Sequence, residues 1–129
     1  MDQRKSIHYK AIFKQDNQID TIEYKAVGTY HDGEKRRLSF QSEGHTIDIV
    51  YDEQRITLKH DQSTLLLNKD KVVWSDYQLP YGQVQLCTKV KKFDVHHHHF
   101  QLKYELYDHQ SLISTVYIYI TMLPFVEDN

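Results

Sequence analysis

Between Phe100 and Met122 the chain reads FQLKYELYDHQSLISTVYIYITM, and side-chain character alternates residue by residue through almost all of it. Phe100, Leu102, Tyr104 and Leu106 fall on one side, and Gln101, Lys103, Glu105 and Tyr107 on the other. That is the period of a strand with one buried face. The polar run Asp108 to Ser111 suits a turn. Beyond it Val116, Ile118, Ile120 and Met122 point one way, and Thr115, Tyr117, Tyr119 and Thr121 the other. A helix would scatter these residues around its cylinder, whereas a pleated surface packs β-branched and aromatic side chains well. The stretch therefore predicts an antiparallel hairpin. An isolated hairpin is marginal in water, so the rest of the chain must complete the sheet.

Upstream the same rhythm recurs. Ile7 to Phe13, Ile22 to Tyr30, Leu38 to Phe40, Ile47 to Tyr51, Ile56 to Leu58, Thr64 to Asn68, Val72 to Leu79 and Val84 to Val90 read as further strands. Asp32-Gly33 is a strong turn signal, and Pro80-Tyr81-Gly82 breaks the ladder, since proline cannot donate to it. Pro124 to Asn129 reads as a frayed end. About ten short strands without a helix predict an all-β barrel or sandwich.

A chain of 129 residues is expected to form one domain, 1–129, with an ordered core over about 5–122. Sixteen aromatic residues against four glycines and two prolines describe a folded protein rather than a disordered one. The single cysteine, Cys87, cannot close an internal disulfide, which suits a reducing compartment. Met1 to Lys5 leads straight into alternating sequence, and no segment has the length of an apolar membrane span. A cytoplasmic protein is expected. A net charge of -2 with interspersed signs argues against nucleic-acid and membrane partners. The clusters Lys35-Arg36-Arg37 and Lys89-Val90-Lys91-Lys92 read as solvated strand faces or edge protection.

Several short motifs recur in a fixed order: GTY at Gly28 to Tyr30, LPYG at Leu79 to Gly82, a lysine-rich strand, KYEL at Lys103 to Leu106 and YIYI at Tyr117 to Ile120. From about Lys5 to Met122 this order resembles the YwiB-like family of small bacterial proteins, a domain of unknown function. The resemblance implies a closed antiparallel up-and-down barrel of about eight to ten strands, calycin-like and lipocalin-shaped, in a bacterial cytoplasm. Two places depart from the family pattern: Leu38 to Glu43, which matches at most at Phe40 and Glu43, and the histidine run His96 to His99. The family supplies no catalytic residues to carry over.

The histidine run is the one unusual chemical feature. Residues two apart on a strand share a face, so His97 with His99, or His96 with His98, could chelate a divalent metal, with His97 and His99 as the candidate pair. A structural zinc site needs four ligands and a catalytic one usually three. In an up-and-down meander His31 lies at the end of the run, while His45, His60 and His109 lie at the opposite end. Neither group shows a clear carboxylate set, so a plain polar turn is expected, with no metal and no cofactor. Cys87 sits in an alternating strand as a small packing residue. No serine occupies a Gly-x-Ser-x-Gly turn, and no pair of carboxylates stands out for acid-base work. The expectation is a protein that is not an enzyme.

Function is then read from the aromatics. If Tyr24, Tyr30, Phe40, Trp74, Tyr104 and Leu106 face inward, they give an apolar lining with phenolic handles, suited to a small apolar or amphipathic ligand. The same residues equally fill a dry core in which each hydroxyl finds a partner. Gly28 either leaves room for a ligand or relieves a sharply coiled strand. Ile113, Tyr117 and Tyr119 make the outer face of the last strand amphipathic, the composition of a half-wet contact and a candidate homodimer interface. The sequence thus leads to a binding module, with a solid barrel working through its outer aromatic strand as the alternative and a metal-dependent enzyme as the third reading.

Overall fold

The computed structural model describes residues 2–79, 82–96, 98–109 and 111–126. These form ten strands: β1 (Asp2–Gln15), β2 (Gln18–Asp32), β3 (Arg36–Ser42), β4 (His45–Tyr51), β5 (Arg55–His60), β6 (Ser63–Asn68), β7 (Val73–Leu79), β8 (Gly82–Val95), β9 (His99–Asp108) and β10 (Ser111–Pro124). The order in the sheet is β6-β5-β4-β3-β2-β1-β10-β9-β8-β7. Neighbours are antiparallel, and β10 returns to lie along β1 from Lys5 opposite Pro124 to Lys14 opposite Thr115. The result is a nearly closed, calycin-like barrel. Pro80, Tyr81, His97 and the end of the tail, 127–129, lie outside the described residues. No helix among the described residues is long and apolar enough to cross a membrane.

Alternation dictates what faces inward. Ile7, Tyr9 and Ala11 of β1, Leu38 and Phe40 of β3, Ile47, Ile49 and Tyr51 of β4, and Val116, Ile118, Ile120 and Met122 of β10 join one buried cluster. Tyr9, Tyr24 and Phe40 pack within it with ring centroids 5.8 to 6.3 Å apart, a spacing at which aromatic pairs add to simple burial. The Tyr51 ring meets Phe100 edge-on at 4.3 Å, joining β4 to β9 through the interior.

The barrel turns a corner at Gly28, where β2 parts from β3. Strand β2 pairs with β3 only from Thr29 opposite Ser39 to Asp32 opposite Arg36, so its earlier half leaves the ladder and carries Tyr24 over Phe40. A methyl group on Gly28 would press into the Ser39 carbonyl oxygen and the Ile7 side chain and stand 2.8 Å from Phe40 Cβ. The space beside Gly28 is thus filled by protein rather than left for a ligand, and the glycine serves a close approach of β2 to β3 that the sequence reading did not name.

Between β6 and β7 the backbone ladder stops, and side chains bridge the gap. The Leu66 amide donates to Ser75 Oγ at 2.9 Å, and Thr88 Oγ1 donates to the Leu66 carbonyl at 2.7 Å. Ser75 and Thr88 are both buried. Beyond Thr88, β8 pairs on its β9 side alone among the described residues. Lys89, Lys91 and Lys92 are exposed along that length, with a register break between Val90 and Lys92. Lysines and a bulge are recognised protections of a free strand edge.

One expected inward residue faces out. Ser75 turns into the barrel to serve the seam, so its neighbour Trp74 projects outward and is 49% exposed. Trp74 lies opposite Cys87, which in turn lies opposite Tyr107. Cys87 is consequently buried on the outer face, and burial pushes its thiol above the usual range.

Candidate functional site

The interior is the first place where a ligand was expected. Tyr24, Tyr30, Phe40 and Tyr104 are all buried there and pack against neighbouring side chains, while Leu106 is partly buried against the same cluster. Trp74 is excluded from this lining by its outward orientation. Tyr51, which the sequence reading did not single out as a site residue, is 1% exposed, and its hydroxyl has no hydrogen-bond partner. Burial pushes that phenol well above the usual tyrosine range.

At one end of the barrel His96, His98 and His99 rim a depression of about 570 Å³ with Asp32, Arg36, Glu53 and Val95. The His96 amide donates to the His99 carbonyl at 2.9 Å. The two rings lie 4.5 Å apart, and His96 Nε2 meets Asp94 Oδ1 at 2.6 Å. His97, one of the two expected chelators, is outside the described residues; His99 is exposed. His31 turns away from this mouth and pairs through Nδ1 with Asp2 Oδ1 at 2.7 Å.

Beside the seam, near the same end, lies a second depression of about 300 Å³. Val50, Ile56, Leu66, Leu67 and Val73 supply apolar walls, and Lys35, Asp52, Arg55 and Asn68 supply polar groups. Asp52 Oδ1 accepts the amides of Gln54 and Arg55 at 2.8 and 2.7 Å. Those bonds hold the Asp52 carboxyl below the usual range and tie the carboxylate to its own turn. Asn68 Oδ1 likewise accepts the amides of Asp70 and Lys71, fixing the connection between β6 and β7. The cleft thus opens where the ladder is interrupted, and it carries two cations, Lys35 and Arg55, that also act on the turn-bound Asp52 carboxylate.

At the opposite end His45, His60 and Asp61 converge. His45 Nδ1 and Asp61 Oδ2 are 2.7 Å apart, and His60 Nε2 is 3.7 Å from the same oxygen. Burial lowers the affinity of His60 for its proton, while the bond to His45 holds the Asp61 carboxyl below its usual range. The sequence placed both histidines at this end but offered no carboxylate set. The missed signal was local: the inward rows Ile47-Ile49-Tyr51 and Ile56-Leu58, extended by one more alternate position, end in His45 and His60.

On the outer face of β10, Tyr117 is half-buried between two ammonium groups, Lys14 Nζ at 5.0 Å and Lys103 Nζ at 5.3 Å from its ring centroid. Ile113 is half-buried beside a register break, and Tyr119 is 40% exposed. Both edges of this strand are paired, so only its face is open to a partner.

An antiparallel barrel with a buried aliphatic and aromatic cluster inside and open depressions at its rim defines a small calycin-like protein class. The chain belongs to the family described as Domain of unknown function (DUF1934), which it matches over residues 7–120. A solved structure described as the crystal structure of ywiB protein from Bacillus subtilis is similar at a TM-score of 0.72 and 15% identity, covering 93% of this chain and 92% of that one. At that identity the likeness carries the fold alone. No curated protein matches the chain.

Proposed function

We propose that the protein is a non-enzymatic binding module of the bacterial cytoplasm that takes a small amphipathic molecule with an acidic head group. The observation that supports this reading is the cleft of about 300 Å³ beside the seam, whose apolar walls meet Lys35 and Arg55 at one rim. That volume is at the lower bound of known small-molecule sites. Leu66 and Val73 would cover the apolar body, and the two cations would meet the head group. The test is calorimetric titration of the untagged protein with decanoate. Binding is expected in the wild type and its loss in both Arg55→Glu and Leu66→Asp; no binding, or binding indifferent to both changes, would reject the reading.

A second reading rests on the exposed Tyr119. Together with Ile113 and Tyr117 it would form the centre of a homodimer contact through the face of β10. Light scattering at high micromolar concentration should then give twice the chain mass, and Tyr119→Lys should return it to the monomer value. A monomeric wild type would remove this reading.

A further inference from the structure

Two inward rows of side chains run out at the end of the barrel away from the histidine run, and the chemistry changes there from aliphatic to imidazole. Ile47 of β4 pairs with His60 of β5, and His45 lies two residues before Ile47 on the same face. The imidazoles therefore meet, with ring centroids 5.2 Å apart and planes at 90°. Tyr24, buried, closes the inner side, its ring 6.0 Å from that of His45 and 6.3 Å from that of His60.

Asp61 is held beside them by its backbone. It has a φ of 56°, in the left-handed region, and its amide donates to the Thr46 carbonyl at 2.9 Å. The Thr46 amide donates back to Asp61 Oδ1, also at 2.9 Å. One carboxylate oxygen is thus fixed by the main chain, the kind of outer contact that orients a metal ligand. The other, Oδ2, points at both histidines. One ligand atom from each of the three residues lies within 4.8 Å of the others. Ligand atoms in a tetrahedral zinc site, each at about 2.0–2.2 Å from the ion, are roughly 3.3 Å from one another. Small side-chain rotations would bring this set to that spacing.

We propose that His45, His60 and Asp61 form a site for a divalent transition metal, with two imidazoles and one carboxylate as ligands and the remaining positions open to solvent. The mixed nitrogen and oxygen donors suit zinc, cobalt or nickel better than magnesium or calcium. The site is independent of the amphipathic cleft and lies at the other end of the barrel.

The test must separate this site from the histidine run. In a full-length chain with His96, His97, His98 and His99 all changed to Asn, calorimetry with Zn²⁺ should still show one equivalent bound. In that background His60→Gln and Asp61→Asn should each weaken binding at least roughly tenfold, while His31→Asn leaves it unchanged. Melting each variant in chelator shows whether it is folded. The run-free chain gives a further readout without any other substitution: Co²⁺ should develop the intense visible band of four- or five-coordinate cobalt. Loss of all binding with the run, an affinity unchanged from the run-free chain in both site variants, or only the weak spectrum of hydrated Co²⁺ would overturn the proposal and leave a plain His45–Asp61 hydrogen bond.

Discussion

The backbone amide of Leu66 donates to the hydroxyl of Ser75 at 2.9 Å across the junction of β6 and β7, where the described strands lie side by side without a ladder. Thr88 completes the junction by donating to the Leu66 carbonyl. Two side chains thus do what a row of backbone bonds does elsewhere. Removing either leaves a backbone group without its partner, which costs about 1–2 kcal/mol. Ser75→Ala and Thr88→Val are each expected to destabilise by that amount in denaturant unfolding. Hydrogen exchange should report the loss at the Leu66 amide before it appears in the β1–β10 ladder.

Gly28 allows β2 to pass within contact distance of β3 at the corner. A Cβ there would have no room beside the Ser39 carbonyl, Ile7 and Phe40. Because two of the three obstacles are a backbone oxygen and a Cβ, relief requires the strands to part. Gly28→Ala is expected to destabilise by about 3 kcal/mol, the upper part of the range for overpacking. A thermal melt of the variant checks this, and an unchanged midpoint would mean that the corner opens freely.

The barrel was legible because each buried strand face repeats every second residue, a signal that survives ignorance of the partner strand. Strands at Ile7, Ile22, Ile47 and Phe100 could be placed on that ground alone. What alternation does not supply is the absolute face of a strand that follows an irregular connection. At β7 the inward place belongs to Ser75, a polar residue needed at the seam, so hydrophobicity misassigns Trp74. The convergence of His45, His60 and Asp61 was hidden for a related reason. It depends on the register of β4 against β5 and on a left-handed turn residue, and neither leaves an apolar mark in the sequence.

On the outer face of β3 and β4, Asp48 receives two bonds from Arg37, at 2.9 and 2.7 Å, and a third from Ser39 at 2.9 Å. The bonds from Arg37, more than any other influence, hold the Asp48 carboxyl below its ordinary range. A carboxyl depressed in the folded state stabilises fully above its unfolded value, about 3.9, and that contribution is lost as pH falls through the folded value. Asp48→Asn should therefore cost roughly 1–2 kcal/mol at pH 7, a charge-assisted set discounted for the exposed guanidinium. The difference between wild type and variant should shrink as the pH falls below about 4, which parallel urea titrations at pH 7 and pH 3 would show.

Tyr51 offers the opposite experiment, a substitution that should leave the fold intact or improve it. Its ring is part of the core, packed edge-on against Phe100 with the Arg36 guanidinium 5.0 Å from the ring centroid on the face. Its hydroxyl is buried beside Tyr30 but outside hydrogen-bond geometry. Tyr51→Phe keeps the ring contacts and removes a polar group whose desolvation is not repaid. The expected result is a gain of about 1 kcal/mol, since an unsatisfied buried hydroxyl costs on that order. Chemical denaturation gives the sign directly. A loss of stability would show that the hydroxyl is satisfied in solution, through Tyr30 or an ordered water, and that the mouth above it is wetter than the packing implies.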